Sequence, residues 1–255
     1  MSKENIPILD AEDTSKLIVI GDVHGLTKWR KVIDKHPDAF RYVFLGDYCD
    51  PYDASITDER VIDNFIDIIN FKKLYPERVI LLLGNHDMHY LASDTPKGSR
   101  YNLSLSMMLN DLFVGNKAFF QLAYVCNRLL FTHAGVLKSW LEEFSDNTQF
   151  IAEQINERSD DQALLQCGFL RGGLSLVGGP LWADLEEFTT DELLPGLVQI
   201  VGHNRVSTIQ VKGSSIQSTG YVVFCDSLHK DNYLVVENPL DEEPLFYEGN
   251  FSKND

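Results

Sequence analysis

The sequence predicts an α/β protein in which helices cover two β-sheets, or one mixed sheet. Short apolar runs alternate along the chain with longer amphipathic stretches, as strands alternate with helices in this fold class. The predicted order is β-α-β-α-β, then helices, then a series of strands. Several of the apolar runs end in a glycine followed by a side chain that can bind a metal ion, so the same segments predict both a fold and a site.

The first half of the chain contains three predicted strands joined by two predicted helices. These elements are, in order, strand 17–21, helix 27–36, strand 41–46, helix 57–75 and strand 78–84. The first helix is expected to be capped near Thr27, and the second by Thr57 or Asp58, because hydroxyl and carboxylate oxygens accept hydrogen bonds from the first turn. In the strand at 78–84, residues 79–83 are all apolar, which predicts burial on both of its faces.

The second half is predicted to contain helices followed by strands. Its expected elements are a helix at 101–113, a hairpin at 121–135 that turns at Asn127-Arg128, helices within 136–169, a glycine-rich loop at 171–182, and strands at 197–202, 208–211, 221–226 and 233–238. The apolar residues of the predicted helix at 101–113 are expected to be core or a helical cover, with the floor of a substrate groove as the alternative. They are Leu103, Leu105, Met107, Met108, Leu109 and Phe113. The acidic segment 241–255 is expected to be a solvated end.

Length and charge limit the classes of protein and partner. The chain has 255 residues, of which 44% are hydrophobic, and we expect residues 1–255 to form one domain with its core at about 17–238. The net charge of −16 argues against nucleic acid or an anionic membrane as a partner, because both attract basic surfaces. A small anionic substrate is still compatible with this charge, since bound divalent metals reverse the local sign.

Cysteine spacing and the N-terminus predict the compartment. The four cysteines at positions 49, 126, 167 and 225 form no CxxC motif, which favours buried free thiols over disulfides. The N-terminal segment lacks the apolar run of a signal peptide, and no stretch reaches the roughly 18 apolar residues of a membrane span. We therefore expect a cytoplasmic protein.

Metal-capable side chains follow five of the predicted strands. The segments are GDVHG (21–25), GDYCD (46–50), GNHD (84–87), THAG (132–135) and GHNR (202–205). Ligands collect at the carboxyl ends of strands in open α/β sheets, so these segments are expected to meet. The side chains brought together would be Asp22, His24, Asp47, Asn85, His86, His133 and His203.

The types of these side chains indicate the chemistry. Carboxylate, imidazole and amide ligands without a thiolate suit manganese, iron or zinc acting as Lewis acids. Seven polar residues are too many for one ion, so we expect a pair of ions that share Asp47. Two divalent cations with two aspartates and a bridging hydroxide leave a slightly positive centre, because Asn85 adds no charge. Such a centre favours a phosphate ester as substrate and offers it an activated nucleophile.

The five segments together resemble the signature of the calcineurin-like metallophosphoesterases, and they look most like its phosphoprotein phosphatase branch of serine/threonine phosphatases. Leu181-Trp182-Ala183-Asp184 also resembles the LWSD-type segment of that branch. The resemblance implies an αββα sandwich of mixed sheets flanked by helices. It also implies two divalent metal ions per chain, with manganese expected and iron or zinc as alternatives.

The resemblance assigns roles by position. It implies that the first metal is held by Asp22, His24 and Asp47, and the second by Asp47, Asn85, His133 and His203. His86 would be the acid that protonates the leaving oxygen, with Asp50 orienting it and raising its pKa. At the position where the family carries a phosphate-binding arginine, this chain has Pro51. The candidates to replace that arginine are, in falling order, Arg171, Arg205 and Arg100.

The expected activity is a metal-dependent phosphatase that hydrolyses phosphomonoesters, among them phosphoserine and phosphothreonine, by direct attack of a hydroxide bridging two metal ions. The substrate would be a phosphorylated small molecule or a phosphoprotein. One alternative is hydrolysis of the pyrophosphate bond in dinucleoside polyphosphates by the same centre. Another is a catalytically silent scaffold that binds a phosphorylated partner, which the loss of the arginine at Pro51 keeps open. The sequence predicts no oligomeric state.

Overall fold

The computed structural model of the chain describes Leu9 and residues 13–91, 97–145 and 150–252, apart from the side chains of residues 13 and 14. The helices and strands are β1 (Asp13–Ile20), α1 (Trp29–Lys35), β2 (Ala39–Phe44), α2 (Asp58–Leu74), β3 (Val79–Leu82), α3 (Asn85–Leu91), α4 (Ser106–Gly115), β4 (Phe120–Gln121), β5 (Ala123–Cys126), β6 (Leu129–Thr132), α5 (Lys138–Phe144), α6 (Ile151–Glu157), β7 (Val198–Arg205), β8 (Gln210–Ser215), β9 (Gly220–Asp226), β10 (Asn232–Glu237) and β11 (Leu245–Asn250).

The strands form two mixed sheets. The six-stranded sheet has the order β11-β10-β1-β2-β3-β4, and the five-stranded sheet has the order β5-β6-β7-β9-β8. Strands β1 to β4 pair in parallel, as do β6, β7 and β9, whereas β5, β8, β10 and β11 pair antiparallel with their neighbours. The parallel strands of each sheet therefore end at one edge, where the loops that follow them meet.

The core has two layers because successive side chains of a strand point to opposite faces. On β1, Leu17 and Val19 join an apolar cluster that also contains Phe131 and Ile200 of the other sheet. The intervening Ile18 and Ile20 join a second cluster that includes side chains of α1 and α2, such as Trp29 and Phe65. Two mixed sheets packed face to face and flanked by helices are thus the observed architecture, as the sequence predicted.

The predicted elements of the first half are present. Thr57 caps α2 as predicted, because its Oγ1 accepts a hydrogen bond from the backbone nitrogen of Arg60 at 3.4 Å. Thr27 lies next to the N-cap of α1, as predicted; Lys28 occupies the N-cap itself, without a side-chain hydrogen bond. Thr27 instead contributes its backbone carbonyl, which accepts a hydrogen bond from Arg30 at 3.1 Å.

The second half departs further from the prediction. The hairpin of β5 and β6 turns at Asn127-Arg128 as expected, with Asn127 in the left-handed region at φ 54°. In 136–169 the described helices are α5, α6 and short 3₁₀ turns, and residues 146–149 of that prediction lie outside the described residues. On α4, Leu109 and Phe113 are core, whereas Met107 is 78% exposed, so the prediction of a buried face holds only in part.

The final segment contains a strand that the sequence analysis did not predict. Strand β11 pairs with β10 from Asn232 opposite Asn250 to Glu237 opposite Leu245, and it forms the edge of the six-stranded sheet. The expectation of a solvated end is therefore wrong for this part of the segment. The residues of β11 are exposed or half-buried, so the strand lacks the apolar alternation by which strands are recognised.

The cysteines are free thiols, as predicted. Cys49, Cys126 and Cys225 are buried, and Cys167 is half-buried. In the part of the chain that the structure describes, no helix has the length and apolar character needed to cross a membrane.

Candidate metal centre and active site

The predicted ligands meet at one edge of the two sheets. Asp22 and Asp47 follow β1 and β2, and Asn85 is the first residue of α3. His133 follows β6, and His203 lies near the end of β7. All of the predicted ligands except the half-buried His203 are buried. The order of the strands, rather than proximity in sequence, brings them together.

Asp47 lies between two histidines. Its Oδ2 is 3.6 Å from Nε2 of His24 and 3.6 Å from Nε2 of His133. Its Oδ1 accepts a hydrogen bond from the backbone nitrogen of His86 at 2.9 Å, which fixes the carboxylate. Ligand atoms that each bind one ion at roughly 2.0–2.2 Å lie about 3–4 Å apart. The spacing on both sides of Asp47 is therefore that of atoms sharing a metal.

Three further ligand atoms meet beside His133. Asn85 Oδ1 is 2.9 Å from His133 Nε2 and 2.9 Å from His203 Nδ1. The two histidine nitrogens are 3.2 Å from each other. On the other side of Asp47, the two carboxylate oxygens of Asp22 accept hydrogen bonds from the backbone nitrogen of His203 at 3.0 and 3.1 Å. Both sides of Asp47 are thus lined with oxygen and nitrogen atoms.

The hydrogen bonds of two histidines suit a cation between each ring and Asp47. His24 Nδ1 faces the carbonyl oxygens of Cys49 at 3.0 Å and Asp50 at 3.1 Å, and His133 Nδ1 faces that of Leu45 at 2.7 Å. A carbonyl only accepts hydrogen bonds, so each Nδ1 carries the proton and each Nε2 presents a lone pair. Those lone pairs point toward the Asp47 carboxylate, which repels them unless a cation lies between. Backbone carbonyls orient metal-binding histidines in this way.

The charges of the site also fit divalent cations. Burial lowers the pKa of His24 to about 4 and lowers the pKa values of His133 and His203, so all three rings are neutral at neutral pH. The neutral ring is the form that binds a metal. Burial and the nearby charges of Asp226 and Asp47 raise the pKa of Asp22, because the negative charges of these buried carboxylates repel one another. Bound cations would compensate this charge.

His86 and Asp50 form a hydrogen-bonded pair beside the metal ligands. His86 Nδ1 is 2.9 Å from Asp50 Oδ2. Burial by itself lowers the pKa of His86, but the charge of Asp47 and the hydrogen bond and charge of Asp50 outweigh it and raise this pKa to about 9. His86 therefore carries a proton at neutral pH, in a site where His24 does not.

Two residues that the sequence analysis missed hold Asp50. His89 Nε2 lies 2.7 Å from Asp50 Oδ2, and the hydroxyl of Tyr90 donates a hydrogen bond to Oδ1. Burial alone raises the pKa of Asp50, but its contacts with His86, His89 and Tyr90 outweigh burial and lower it. His89 and Tyr90 follow His86 by three and four residues on α3, so helical spacing would have identified them had this helix been predicted.

A third missed residue is Asp226, the last residue of β9. It is 2% exposed, and its Oδ2 has no hydrogen-bond partner among the described residues. Burial raises its pKa to about 7, and its charge in turn raises the pKa of Asp22. It could have been found as another carboxylate at the end of an apolar strand.

The motif glycines allow the ligands to lie close to the backbone. A Cβ on Gly84 would be 2.1 Å from Asp47 Oδ1, and one on Gly202 would be 2.1 Å from Asp22 Oδ1. No side chain fits at such distances, so glycine is required at both positions. The site also concentrates non-glycine residues in the left-handed region, including His24 at φ 43° and Asp47 at φ 53°. Such strained backbone clusters at functional sites.

The three candidate arginines lie in different surroundings. Arg171 Nε is 2.6 Å from Asp184 Oδ2, and its Nη2 donates a hydrogen bond to Asn204. Arg100 and Arg205 instead lie over the ring of Tyr52, with their guanidinium carbons 4.0 and 4.4 Å from its centroid. The structure thus places a tyrosine and two guanidinium groups next to the position of Pro51.

Comparison with curated proteins finds serine/threonine phosphatases. The chain is 25% identical over 195 residues to a probable serine/threonine-protein phosphatase of Encephalitozoon cuniculi, a match that covers 72% of this chain and 37% of that protein. It is 32% identical over 94 residues to the serine/threonine-protein phosphatase 4 catalytic subunit of Kluyveromyces lactis, covering 34% of this chain and 26% of that protein. The chain therefore spans well under half the length of these relatives.

Comparison with solved structures supports the fold. A cold-active protein-tyrosine phosphatase of a Shewanella species superposes with a TM-score of 0.61 at 19% identity, covering 96% of this chain and 85% of that one. A protein serine/threonine phosphatase from Saccharomyces cerevisiae superposes with a TM-score of 0.51 at 16% identity, covering 94% and 82%. At such identities the likeness concerns the fold alone.

The family follows from a match to a sequence profile. The sequence profile described as calcineurin-like phosphoesterase matches residues 15–205, which is most of the chain and includes all five segments that carry the predicted ligands. The chain belongs to the calcineurin-like phosphoesterase family.

Proposed function

We propose that this protein is a dinuclear metal-dependent phosphatase that hydrolyses phosphomonoesters. The observation that carries the proposal is the placement of Asp47 between His24 and His133, at 3.6 Å from each, with Asn85 and His203 completing one side. A carboxylate with ligand atoms on both sides is suited to bridge two cations. Structural sites for a single zinc ion are closed and tetrahedral, which this arrangement is not.

Each ion would have its own set of ligands. One ion would be held by Asp22, His24 and Asp47, and the other by Asp47, Asn85, His133 and His203. Two divalent ions so held supply Lewis-acid stabilisation of phosphoryl oxygens and lower the pKa of water to near neutrality. Manganese is the ion that we expect, and the donor set also accepts iron or zinc.

His86 would protonate the leaving oxygen. Its Nδ1 is occupied by Asp50, which leaves Nε2 as the atom that donates a proton. The raised pKa of His86, about 9, keeps that proton in place at neutral pH until the leaving group develops negative charge. Asp50 holds the ring in one orientation throughout, since His89 and Tyr90 fix the carboxylate from the other side.

Arginine side chains would bind the phosphate group. Arg171 reaches the site through Asn204, the residue after His203, while Arg205 and Arg100 reach it through Tyr52. A guanidinium group binds a phosphate through two parallel hydrogen bonds, so any of the three is chemically suitable.

Exposed apolar side chains near these arginines support a peptide substrate. Leu174 is 93% exposed and Leu176 is 80% exposed, both in the loop that carries Arg171, and Leu103 is 77% exposed three residues after Arg100. Exposed apolar side chains in such numbers mark surfaces that contact other molecules. A dinucleoside polyphosphate offers them little, and its charge is unfavourable for a chain of net charge −16. We therefore propose phosphoserine or phosphothreonine in a protein as the substrate.

The first test is metal-dependent hydrolysis of an aryl phosphate. Protein stripped of metal should be inactive, and added Mn²⁺ should restore turnover in the wild type but not in Asp47→Asn. Thermal melting of the variant shows whether it is folded. Bound Mn²⁺ without turnover of any phosphate ester would refute the enzyme and leave the silent scaffold.

The second test concerns His86. His86→Asn should slow hydrolysis of alkyl phosphates by roughly 10²- to 10⁴-fold. It should slow aryl phosphates with good leaving groups much less, because those leave without a proton. Equal losses on both substrates would contradict the role of His86 as general acid.

The third test compares a phosphoserine peptide with a dinucleoside tetraphosphate at equal concentrations. Faster turnover of the peptide is expected. Faster turnover of the tetraphosphate would contradict the proposed substrate while leaving the metal chemistry intact.

A further inference from the structure

Pro51 leaves one contact of the proposed reaction unfilled. It occupies the position at which the family motif carries a phosphate-binding arginine, and it has neither charge nor hydrogen-bond donor. We infer that Tyr52 holds Arg100 and Arg205 beside the metal centre, and that these two guanidinium groups together bind the substrate phosphate. This inference rests on the proposed function, because it names the phosphate-binding residues of that same site.

Tyr52 lies directly against a metal ligand. Its ring meets the ring of His24 edge to face, with the centroids 4.7 Å apart. The side chain is 40% exposed, so part of the ring is open to solvent and to other side chains. Whatever packs on this ring therefore contacts a residue that itself touches a candidate metal ligand.

The two groups on the ring are guanidinium groups from distant parts of the chain. Arg205 ends β7, two residues after His203, and its Cζ lies 4.4 Å from the Tyr52 centroid. Arg100 lies in the segment before α4, with its Cζ at 4.0 Å and its Nη1 at 3.5 Å from the carbonyl oxygen of Pro51. Stacking on an aromatic face orients an arginine while leaving its N–H donors free for an anion.

Neither arginine forms an ion pair within 4 Å among the described residues, although the charge of Arg205 partly offsets the rise that burial causes in the pKa of the nearby Asp226. Arg171, in contrast, pairs with Asp184 and donates to Asn204. Arg171 thus has a structural reason to be where it is, since its partners join the glycine-rich loop to β7. Arg100 and Arg205 instead stack on the ring of Tyr52, and Arg205 also lines a cavity with Asp22 and His24.

The backbone of Arg100 is a second sign of function. Among the described non-glycine residues with positive φ, the others are asparagines, aspartates and the two site histidines His24 and His203. Arg100, at φ 65°, is the exception in this set, because it is neither an asparagine, an aspartate nor a histidine and has a long side chain. This conformation costs free energy for such a residue and persists where the surrounding structure imposes it.

A cavity connects Arg205 and the ring of Tyr52 to the candidate metal ligands, and Arg100 reaches its edge through that ring. It has a volume of about 390 Å³, and its lining includes Asp22, His24, Tyr52 and Arg205. An anion in it would contact the guanidinium of Arg205 on one side and the first metal position on the other. The arrangement places the phosphate between two sources of positive charge.

The test is binding of inorganic phosphate to the Mn²⁺-loaded protein by titration calorimetry. Arg205→Gln and Arg100→Gln should each weaken binding by roughly 10- to 100-fold, since each removes a charge-assisted hydrogen bond. Tyr52→Ala should weaken it more than Tyr52→Phe, which keeps the ring that carries the guanidinium groups. The same order should appear in the inhibition constants of phosphate against an aryl phosphate.

Two controls separate this inference from its alternatives. Arg41→Gln removes a guanidinium that lies 3.9 Å from the Phe40 centroid, away from the site, and should leave phosphate affinity unchanged. Arg171→Gln should mainly lower the melting temperature. Its effect on phosphate affinity should be smaller than that of Arg100→Gln or Arg205→Gln. Wild-type affinity in both Arg100→Gln and Arg205→Gln, with affinity lost in Arg171→Gln, would overturn the inference. Wild-type protein that binds phosphate but hydrolyses nothing would instead refute the proposed function, and the variants would still test the binding residues.

Discussion

The close approach of Gly202 to Asp22 makes a single methyl group a probe of the metal centre. In Gly202→Ala the new Cβ would lie 2.1 Å from Asp22 Oδ1, and 3.3 Å from the Cβ of Leu45. Ordinary contact begins at about 3.4 Å, so the carboxylate must move by more than 1 Å. The movement also breaks the hydrogen bonds, 3.0 and 3.1 Å long, that Asp22 accepts from the backbone nitrogen of His203.

The size of the effect follows from this displacement. Metal–ligand distances tolerate changes of about 0.2 Å, so a carboxylate moved by 1 Å no longer serves the same ion. Changes that only disturb the support of a metal ligand already weaken binding by roughly 10- to 100-fold. We therefore expect Gly202→Ala to lose at least about tenfold in affinity for Mn²⁺, or about 1.4 kcal/mol. Independently of metal binding, crowding of the core should lower the free energy of unfolding by roughly 1–3 kcal/mol.

Titration of metal-free protein with Mn²⁺, read by calorimetry, measures the affinity directly, and thermal melting checks the fold. The matched control is Gly115→Ala, because a Cβ on Gly115 meets nothing within 4 Å. A folded Gly202→Ala protein that binds Mn²⁺ within twofold of the wild type would refute the assignment of Asp22 as a ligand.

Three further predictions concern the fold. Phe65→Ala should lower the free energy of unfolding by about 3–5 kcal/mol in denaturant titration, because the buried ring packs against Phe113 with the ring centroids 4.6 Å apart. The control is Val114→Ala, at a side chain that is 51% exposed, which should change the free energy of unfolding little. Thr57→Ala should cost about 1 kcal/mol by the loss of the α2 cap, and an unchanged melting curve would contradict the capping role. Truncation before β11 should expose the paired edge of β10 and promote aggregation, which size-exclusion chromatography detects; a monodisperse, equally stable product would show that β11 is dispensable.

The sequence predicted the elements in which local pattern and tertiary packing agree. Residues 79–83 are all apolar, and β3 is indeed a largely buried internal strand. Asn127-Arg128 supplied a turn residue that tolerates positive φ, and the hairpin forms there. Prediction failed at β11, which is held by hydrogen bonds to β10 along an edge and therefore has no apolar face to reveal it.

The candidate site divides in the same way. Asp22, His24 and Asp47 could be selected because each follows an apolar run and a glycine, a pattern that persists along the chain. His89 and Tyr90 were missed because they act from α3, a helix that begins within the motif itself. Tyr52 was missed because its partners, Arg100 and Arg205, come from segments far apart in sequence.

The sequence by itself determined which residue types end the strands, and hence the metal-binding chemistry and the family to which the chain belongs. Only the tertiary structure decided which side chains touch. The distances of 3.6 Å on either side of Asp47, the contacts that hold Asp50, and the stacking of two arginines on Tyr52 each join residues from different strands or loops. Strand periodicity constrains a residue relative to its own neighbours, whereas contacts between strands depend on sheet order and register, which are set by the packing of the whole core.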